Sequence, residues 1–165
     1  MLGELDTAEI KKLLERNSLC HIGCTDGTNV YIVPISYQYQ DDFIMCYSLE
    51  GLKIEMMRKN PSVCIQVDEI KNINEWKSVV VNGTYEEITD ENELRDLRPH
   101  YTEYMLRKRV SLTALPEDAG PEIPTTTHEK SAQVFYRIRF KNISGRYQSG
   151  FISAKELKFD VTSIL

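Results

Sequence analysis

Alternation of hydrophobic and polar residues dominates this chain and predicts that it is built mostly from β-strands. The clearest case lies towards the C-terminus, where Val134, Tyr136, Ile138 and Phe140 alternate with Phe135 and three cations. A period of two residues places alternate side chains on opposite faces of a strand. The same period, or a short apolar run between turn residues, predicts further strands over residues 18–25, 29–38, 43–48, 62–69 and 78–89.

Turn signals join these strands into hairpins. Asp26-Gly27 is the strongest short hairpin signal, and residues 40–42 predict a second turn. Asn82-Gly83 lies inside one strand pattern without room for two strands, so we interpret it as a bulge or bend. Pro34 interrupts the second strand. Because proline cannot donate to a strand ladder, Pro34 predicts a sheet edge, a bulge, or a place where a ligand faces the backbone.

Three helices are predicted between the strands. Two begin with an aspartate followed three residues later by glutamate, at Asp6 and at Asp90, a pattern that resembles a capping box. The third opens at Gly51. Pro99 is expected to break or restart the last helix. Residues 111–130 contain three prolines and are expected to form a long loop.

These elements predict the fold class. Five or six strands joined mainly by hairpins, with helices at the start, middle and late part of the chain, indicate one mainly β domain over residues 1–165 with its core at about 13–146. We expect a split antiparallel β-barrel with Greek-key connections and helices at the barrel ends.

Composition and charge narrow the possible functions. The chain has 165 residues, 41% hydrophobic and 27% charged, which suits one domain with a sizeable core. A net charge of −5 argues against general nucleic-acid binding. No apolar run is long enough to span a bilayer, and the N-terminus has the pattern of an amphipathic helix rather than a signal peptide. We therefore expect a cytoplasmic protein without a membrane or nucleic-acid partner.

The four cysteines are too few for a disulfide scaffold, and each lies in an apolar or alternating run. Cys20, His21 and Cys24 have metal-ligating side chains, but no second ligand pair follows them. In a strand, Cys20 and Cys24 share one face while His21 points to the other. We expect free core thiols and no metal site.

A candidate anion site lies at the start of the second helix. Gly51 places a helix N-terminus with unpaired amides beside Ser48, and Lys53 adds a full positive charge in the first turn. The alternative is ordinary surface charge on an amphipathic helix.

The last strand carries three cations on one face, Arg137, Arg139 and Lys141. They could bind phosphate or RNA. More often such a stripe is the solvated face of an edge strand, where positive charge discourages aggregation, and that interpretation is favoured.

Three segments resemble the successive core motifs of a known family. They are YIVPISYQY, FIMCYSLEGLKIEMMRKNPSVCIQVD and WKSVVVNGTYEEI, within residues 13–88. The resemblance is to the pyridoxamine 5'-phosphate oxidase-like FMN-binding split barrels, nearest the nitroimidazole-resistance-protein-like branch. Its most specific part is G-x-K, a short helix and N-P-x-V, here Gly51, Lys53, Asn60, Pro61 and Val63.

The resemblance implies a homodimer with FMN at the subunit interface. Ser48 and Lys53 would hold the phosphate. Residues of the second strand would line the isoalloxazine, largely through backbone groups, and residues of a later strand would approach the flavin or its ribityl chain from the same or the partner subunit. The two strand sets are Val33, Pro34, Ile35 and Ser36, and Trp76, Ser78, Val79 and Val80.

The implied function is an FMN-dependent oxidoreductase that passes electrons from a small donor through reduced flavin to a small acceptor such as a nitro compound or quinone. Many members of the nearest branch carry a histidine where this chain has Cys46. No nucleophile, base and orienting acid occur at informative spacing, so catalytic residues stay unknown and the chemistry would belong to the flavin. The alternatives are a flavin-storing or flavin-sensing protein, or a binder of another planar cofactor such as haem, for which His21, His100 and His128 are the available imidazoles.

Overall fold

A computed structural model describes residues 1–116 and 132–150 of the chain. Within these ranges the three α-helices are α1 (Thr7–Arg16), α2 (Leu52–Lys59) and α3 (Glu91–Lys108), and a 3₁₀ turn spans Leu112–Ala114. The strands are β1 (Leu2–Glu4), β2 (Leu19–Thr25), β3 (Val30–Ser36), β4 (Gln38–Gln40), β5 (Phe43–Leu49), β6 (Ser62–Asn72), β7 (Glu75–Glu87) and β8 (Gln133–Gln148).

All strand pairs are antiparallel and form one sheet in the order β3-β2-β6-β7-β8-β5-β4, with β1 paired to the end of β8. β3 and β4 form the two ends of this order and do not pair with each other. The sheet curls so that β3 lies close to β5 and leaves an opening there. This arrangement confirms the predicted split antiparallel barrel.

The barrel interior is filled by apolar side chains from the inward faces of the strands. Ile22, Ile44, Ile65, Val81 and Ile138 are completely buried. Each such side chain contributes roughly 1.5–3 kcal/mol relative to exposure to water. Burial of one strand face by these residues fixes the register, because a slip of one residue would turn them all outward.

The first helix closes one end of the barrel. Its predicted capping box forms: the backbone N of Glu9 donates to Asp6 Oδ1 at 2.8 Å, and the backbone N of Asp6 donates to Glu9 Oε2 at 3.3 Å. Leu13 and Leu14 are buried against the core. The buried hydroxyl of Tyr37 donates to the carbonyl of Leu14 at 2.9 Å.

Helix α3 packs outside the barrel and forms a second apolar cluster. Tyr101 and Met105 contact Met45, Tyr47 and Phe135, which lie on the outward face of β5 and β8. The expected break at Pro99 is wrong, since α3 continues through that residue to Lys108. Pro99 is exposed, and the buried residues that follow it hold the second half of the helix to the sheet.

The predicted turns are largely confirmed. Asp26 Oδ1 accepts the backbone N–H groups of Thr28 and Asn29, and Gly27 has a φ of 96°. The pairing of β7 with β8 shifts register between Asn82 and Gly83, as the bulge interpretation requires. β7 begins at Glu75, earlier than the predicted start at residue 78, and a tight hairpin joins it to β6, with Asn72 paired to Glu75.

The last strand is longer and more central than expected. β8 runs to Gln148 and pairs with β7, β5 and β1, so it is not an edge strand. The solvated-edge interpretation of its cations is therefore wrong. Arg137 donates to Glu86 and Glu93 at 3.0 and 2.9 Å, and Arg139 donates to Glu86 and Asp42. Both arginines are therefore paired with carboxylates of the same chain.

Residues 117–131, the larger part of the predicted loop, lie outside the described residues, as do residues 151–165. Among the helices that are described, none combines the length and the apolar character needed to cross a membrane.

Candidate functional site

A cleft of about 220 Å³ opens at the split of the barrel, between β3 and the loop that joins β5 to α2. It brings together residues that are far apart in sequence but were predicted to act on one ligand. Its lining residues are Tyr31, Val33, Pro34, Ser48, Leu49, Gly51, Leu52 and Lys53. We call it the phosphate cleft, after the role predicted for Ser48 and Lys53.

Lys53 is the only cation in the lining of this cleft. Its half-buried side chain makes no hydrogen bond or ion pair with any residue in the described part of the chain. Burial lowers the pKa of the ammonium group, and only the neighbouring thiols of Cys46 and Cys24 oppose this. Removing an ammonium group from water without a counter-ion is costly, so the position is suited to receive an anion.

The N-terminus of α2 adds further donors. Its N-cap, Gly51, has no side chain, and no capping hydrogen bond is made. Within the described residues, the first-turn amides of Leu52 and Lys53 have no partner. These amides carry the positive end of the helix dipole. Ser48 Oγ donates to the carbonyl of Leu49 at 2.8 Å and keeps its lone pairs available.

The open edge of β3 forms the other side of the phosphate cleft. The backbone N of Asp26 donates to Asn29 O at 3.4 Å, and the backbone N of Tyr37 donates to Ser18 O at 2.9 Å. Hydrogen-bonded and non-hydrogen-bonded pairs alternate along an antiparallel ladder. The two bonds, one at each end of the β2–β3 ladder, therefore determine which of the residue pairs between them are hydrogen-bonded. Pro34, opposite His21, falls in a non-hydrogen-bonded pair, so its backbone faces away from β2.

The position of Pro34 confirms the first of the three alternatives, a sheet edge, and the unbroken register with β2 excludes a bulge there. β3 has β2 as its one neighbour in the described sheet, so the missing N–H of Pro34 removes no ladder bond. The carbonyl of Pro34 and the backbone of Ser36 face the split. Backbone groups at this edge are therefore available to a ligand.

A second and larger cleft, of about 490 Å³, lies on the outer face of β6, β7 and β8. Gln66 Nε2 donates within it to Asp68 Oδ1 at 3.1 Å and to Ser78 Oγ at 3.3 Å. We call it the tryptophan cleft because it contains Trp76, the single tryptophan of the chain. Its lining residues are Gln66, Asp68, Ile70, Trp76, Ser78, Val80, Ser144 and Arg146.

One row of paired residues connects the two clefts. Pro34 pairs with His21, His21 with Gln66, and Gln66 with Val80. Since adjacent strands are 4.7–4.9 Å apart, Pro34 in the phosphate cleft is roughly 10 Å from Gln66 in the tryptophan cleft. His21 is exposed on the outer face between them.

The structure divides the predicted site residues into three sets. Val33, Pro34, Ser48 and Lys53 line the phosphate cleft. Trp76, Ser78 and Val80 line the tryptophan cleft. Ile35, Val79 and Ser36 line neither: the first two point into the core with exposures of 5% and 0%, so their side chains cannot reach a ligand in either cleft. The side chain of Ser36 lines neither cleft, and only its backbone, at the open edge of β3, is placed to contact a ligand.

Sequence reasoning missed several lining residues. Gln66 and Asp68 were visible as the polar half of an alternating strand, and only the pairing with β7 places them beside Ser78 and Val80. Arg146 lies in the C-terminal segment 143–165, for which the sequence left a further barrel strand and a dimer contact as open alternatives, and the structure shows that its first residues continue β8. Tyr31 alternates with Val33 on the same strand and could have been found from that period.

The remaining chemically reactive groups do not assemble a catalytic set. Cys46 is fully buried beside the hydroxyl of Tyr136, and burial raises the pKa of its thiol to about 12, so it stays protonated. His21 and His100 line neither cleft, and His128 lies outside the described residues. No group of three or more His, Cys, Asp or Glu side chains with metal-binding geometry occurs in the part of the chain that the structure describes.

Comparison with known proteins agrees with this architecture. The family model for pyridoxamine 5'-phosphate oxidase matches residues 6–147. An uncharacterised protein of Rhizobium meliloti (strain 1021) is 30% identical over 138 residues, which cover 84% of this chain and 89% of that protein.

Two solved structures resemble the fold. A FAD-binding protein from Mesorhizobium loti has a TM-score of 0.73 and 32% identity, covering 90% of this chain and 99% of its own. A candidate 5-nitroimidazole antibiotic resistance protein from Bacteroides thetaiotaomicron has a TM-score of 0.62 and 21% identity, covering 89% and 87%. With a family model spanning most of its length and a relative of this similarity, the chain belongs to the pyridoxamine 5'-phosphate oxidase family.

Proposed function

We propose that this protein binds a flavin, specifically FMN, with the cofactor phosphate in the phosphate cleft. The observation that carries the proposal is Lys53, a half-buried cation at an uncapped helix N-terminus, without a counter-ion in residues 1–116 and 132–150. The flavin bound by the Mesorhizobium loti relative supports the cofactor class. FMN is favoured over FAD because the lining holds a single cation, which suits one phosphate better than two.

The residues of the cleft fit such a group. Lys53, Ser48 and the first amides of α2 would hold the phosphate. The ring would lie against the open edge of β3, where the backbone at Pro34 and Ser36 is unpaired and Val33 offers apolar surface. The bound flavin would supply electron transfer, and the chain's own residues would position it and exclude water.

We infer that the protein acts as an oxidoreductase, taking electrons from a small donor and passing them to a small acceptor of the nitro or quinone class. This assignment is supported by the cofactor class, since a bound flavin would carry the electrons and the cleft residues would bind and orient it.

We propose further that two copies associate through the outer face of β2 and β3. Three large apolar side chains on this face are exposed: Leu19 by 58%, Val30 by 73% and Ile32 by 65%. The outer face of a solvated sheet normally carries polar residues, and clustered exposed apolar side chains mark interfaces. The phosphate cleft opens beside this face at Pro34, so a second copy there would enclose the ligand.

The test compares Lys53→Met with Lys59→Met. Lys59 is an exposed lysine of the same helix, outside the cleft, and serves as the matched control. Loss of a charged hydrogen-bond donor to phosphate is expected to weaken FMN binding by roughly 10- to 100-fold in the first variant. The control should bind as the unmodified protein does. FMN affinity is measured by quenching of flavin fluorescence, with FAD titrated in parallel.

Stability must be measured in the same two variants. Because Lys53 has no counter-ion in the described part of the chain, the flavin-free Lys53→Met variant should melt at a temperature no lower than the unmodified protein. A variant that folds and keeps full FMN affinity would exclude the phosphate cleft as the site. Oxidation of reduced nicotinamide by the FMN-loaded protein, with and without an added quinone, then separates an enzyme from a protein that only stores flavin.

A further inference from the structure

We propose that Arg58 is a positioning residue of the phosphate cleft, because it holds the carboxylate of Glu50 away from the place where a ligand's phosphate would bind. The inference rests on the function proposed above and deepens it. It identifies an anion of this chain that would otherwise compete with the ligand for the same donors. Arg58 and Glu50 both lie outside the lining of the cleft, so neither would contact the phosphate itself.

Glu50 is a carboxylate placed directly before the first turn of α2. It precedes Gly51, the uncapped N-cap, and lies three positions before Lys53. A helix N-terminus attracts a carboxylate for the same reason as a phosphate, since both are anions that accept hydrogen bonds from free amides. Lys53, which has no counter-ion in the described ranges, would attract it as well. A released Glu50 side chain would therefore be an internal competitor of the ligand.

Arg58 binds this carboxylate instead. Arg58 Nη1 donates to Glu50 Oε1 at 2.8 Å, and this is the single ion pair of Glu50 among the described residues. Arg58 lies in the last turn of α2, whereas Glu50 precedes the first turn. The pair therefore directs the carboxylate along the helix and away from the free amides at its N-terminus.

Glu87 anchors the guanidinium that makes this contact. Its two carboxylate oxygens accept hydrogen bonds from Arg58 Nε and Nη2, both at 2.8 Å. Such a bidentate pair fixes the plane of the guanidinium. Glu87 is the last residue of β7 and also accepts a hydrogen bond from the hydroxyl of Tyr85 at 2.8 Å. Arg58 is thus fixed to the sheet, with Nη1 directed to Glu50.

The backbone at Glu50 is held independently of Arg58. Its N–H donates to the carbonyl of Ala132 at 2.9 Å, which continues the pairing of β5 with β8 beyond Leu49. The side chains of Arg58 and Glu50 are 42% and 43% exposed, and ion pairs as exposed as this contribute little to stability. Replacement of Arg58 should therefore free the carboxylate without unfolding the loop that carries it.

The experiment compares the binding of FMN with that of riboflavin, which has the same ring and no phosphate, to the full chain. Arg58→Gln should weaken FMN binding by about fivefold to tenfold, because the released carboxylate competes for Lys53 and the amides of α2. Riboflavin binding should stay unchanged. Unaltered FMN affinity, or equal losses for the two flavins, would overturn the proposal, since equal losses indicate a general effect on the fold.

A second substitution distinguishes competition from simple loss of an ion pair. Arg58→Gln combined with Glu50→Gln should bind FMN within about twofold of the unmodified protein, although no ion pair is restored. The matched control combines Arg58→Gln with Glu55→Gln and has the same net charge. Glu55 is exposed in the first turn of α2 and has no ion pair among the described residues. Recovery in both double variants, or in neither, would contradict the inference.

A measurement without flavin separates this inference from the cofactor proposal. Burial lowers the pKa of Lys53 in the unmodified protein. In the flavin-free Arg58→Gln variant, NMR titration should show a higher pKa of Lys53, because an approaching carboxylate favours the charged form, and adding Glu50→Gln should reverse the change. A pKa of Lys53 that does not respond would reject the role of Arg58 whether or not FMN binds. A pKa that responds in a protein that never takes up FMN would support that role and reject the flavin.

Discussion

At the scale of single residues, the structure changes the interpretation of charge. The sequence singled out Lys53 by its place in the first turn of the helix and by the G-x-K motif, but left open whether it was one more cation on an amphipathic helix. The structure places Lys53 half-buried at the barrel split, while Lys59 is exposed. Arg137 and Arg139 were also possible ligand-binding cations, but the structure pairs them with Glu86, Glu93 and Asp42. Candidate ligand-binding cations are those without a carboxylate partner.

The ion pairs of Glu86 predict a pH dependence of stability. Hydrogen bonds from Arg139 and Arg137 hold the pKa of Glu86 below its ordinary value of 4.5. A carboxylate with a lowered folded-state pKa stabilises the protein above its unfolded pKa, and this contribution is lost as the pH falls through the folded-state value. Glu86→Gln should therefore cost about 1 kcal/mol or less at neutral pH, and this cost should shrink as the pH falls below the ordinary pKa of 4.5.

Thermal melting at several pH values measures this difference. The matched control is Asp96→Asn, since Asp96 is exposed and its carboxylate has no ion pair among the described residues. The difference in melting temperature between the unmodified protein and the Glu86→Gln variant should become smaller as the pH falls. The control variant should melt at the same temperature as the unmodified protein at every pH. A gap that persists at low pH would show that Glu86 acts through packing rather than charge.

At the scale of elements, the position of each strand in the sheet decides its role. β3 is the end of the sheet order, which makes a proline tolerable and leaves backbone groups for a ligand. β5 is buried on both faces, by the barrel core and by α3, which explains its continuous apolar run. β8 is central, and two of its cations, Arg137 and Arg139, are paired with carboxylates that include Glu86 of β7 and Glu93 of α3.

The bulge between β7 and β8 gives a steric prediction. A Cβ at Gly83 would lie 2.6 Å from Ile138 Cγ2 and 2.7 Å from the backbone oxygen of Arg139. Neither atom can move away easily, because both belong to the strand paired with β7. Gly83→Ala should destabilise the protein by roughly 1–3 kcal/mol, which lowers the melting temperature by about 2–10 °C.

Gly23→Ala is the matched control. Gly23 also lies within a strand, but its nearest neighbours would be 3.7 and 3.8 Å from the new Cβ, which is ordinary contact distance. Chemical denaturation should give this variant a free energy of unfolding within about 0.5 kcal/mol of the unmodified protein. If the Gly83→Ala variant lost no more free energy of unfolding than the Gly23→Ala variant, the close packing around Gly83 would relax at little cost.

At the scale of the whole molecule, the proposed pairing of two copies predicts the effect of a surface charge. Ile32→Lys places a charge in the apolar face of β2 and β3 and should shift the protein from dimer to monomer. The fold should persist, since Ile32 is 65% exposed in the single chain. Analytical ultracentrifugation measures the change in mass.

Leu106→Lys provides the control for this test. Leu106 is 55% exposed on α3, away from the proposed interface, so its replacement should leave the mass unchanged. If the unmodified protein sediments as a monomer at micromolar concentration, a second copy does not cover this face. If only the Leu106→Lys variant dissociates, the interface involves α3 instead.

The amino-acid sequence by itself determined the elements and much of the family. Alternation located the strands, Asp26-Gly27 located a hairpin, and the capping pairs located two helix starts, because each depends on neighbours in the chain. The Gly51 and Lys53 motif pointed to the phosphate cleft for the same reason. Local signals gave no β1, wrongly predicted a break or restart of the last helix at Pro99 and favoured an edge position for β8.

Only the tertiary structure decided which of these residues meet. Ile35 and Val79 belong to the core and Arg146 to a cleft, and these assignments depend on which strands pair and in which register. Tertiary structure also decides that Arg137 is paired with carboxylates, whereas Lys53 has no carboxylate partner among the described residues. Burial and ion pairing are set by contacts between segments distant in sequence, and no periodicity within a single segment can encode them.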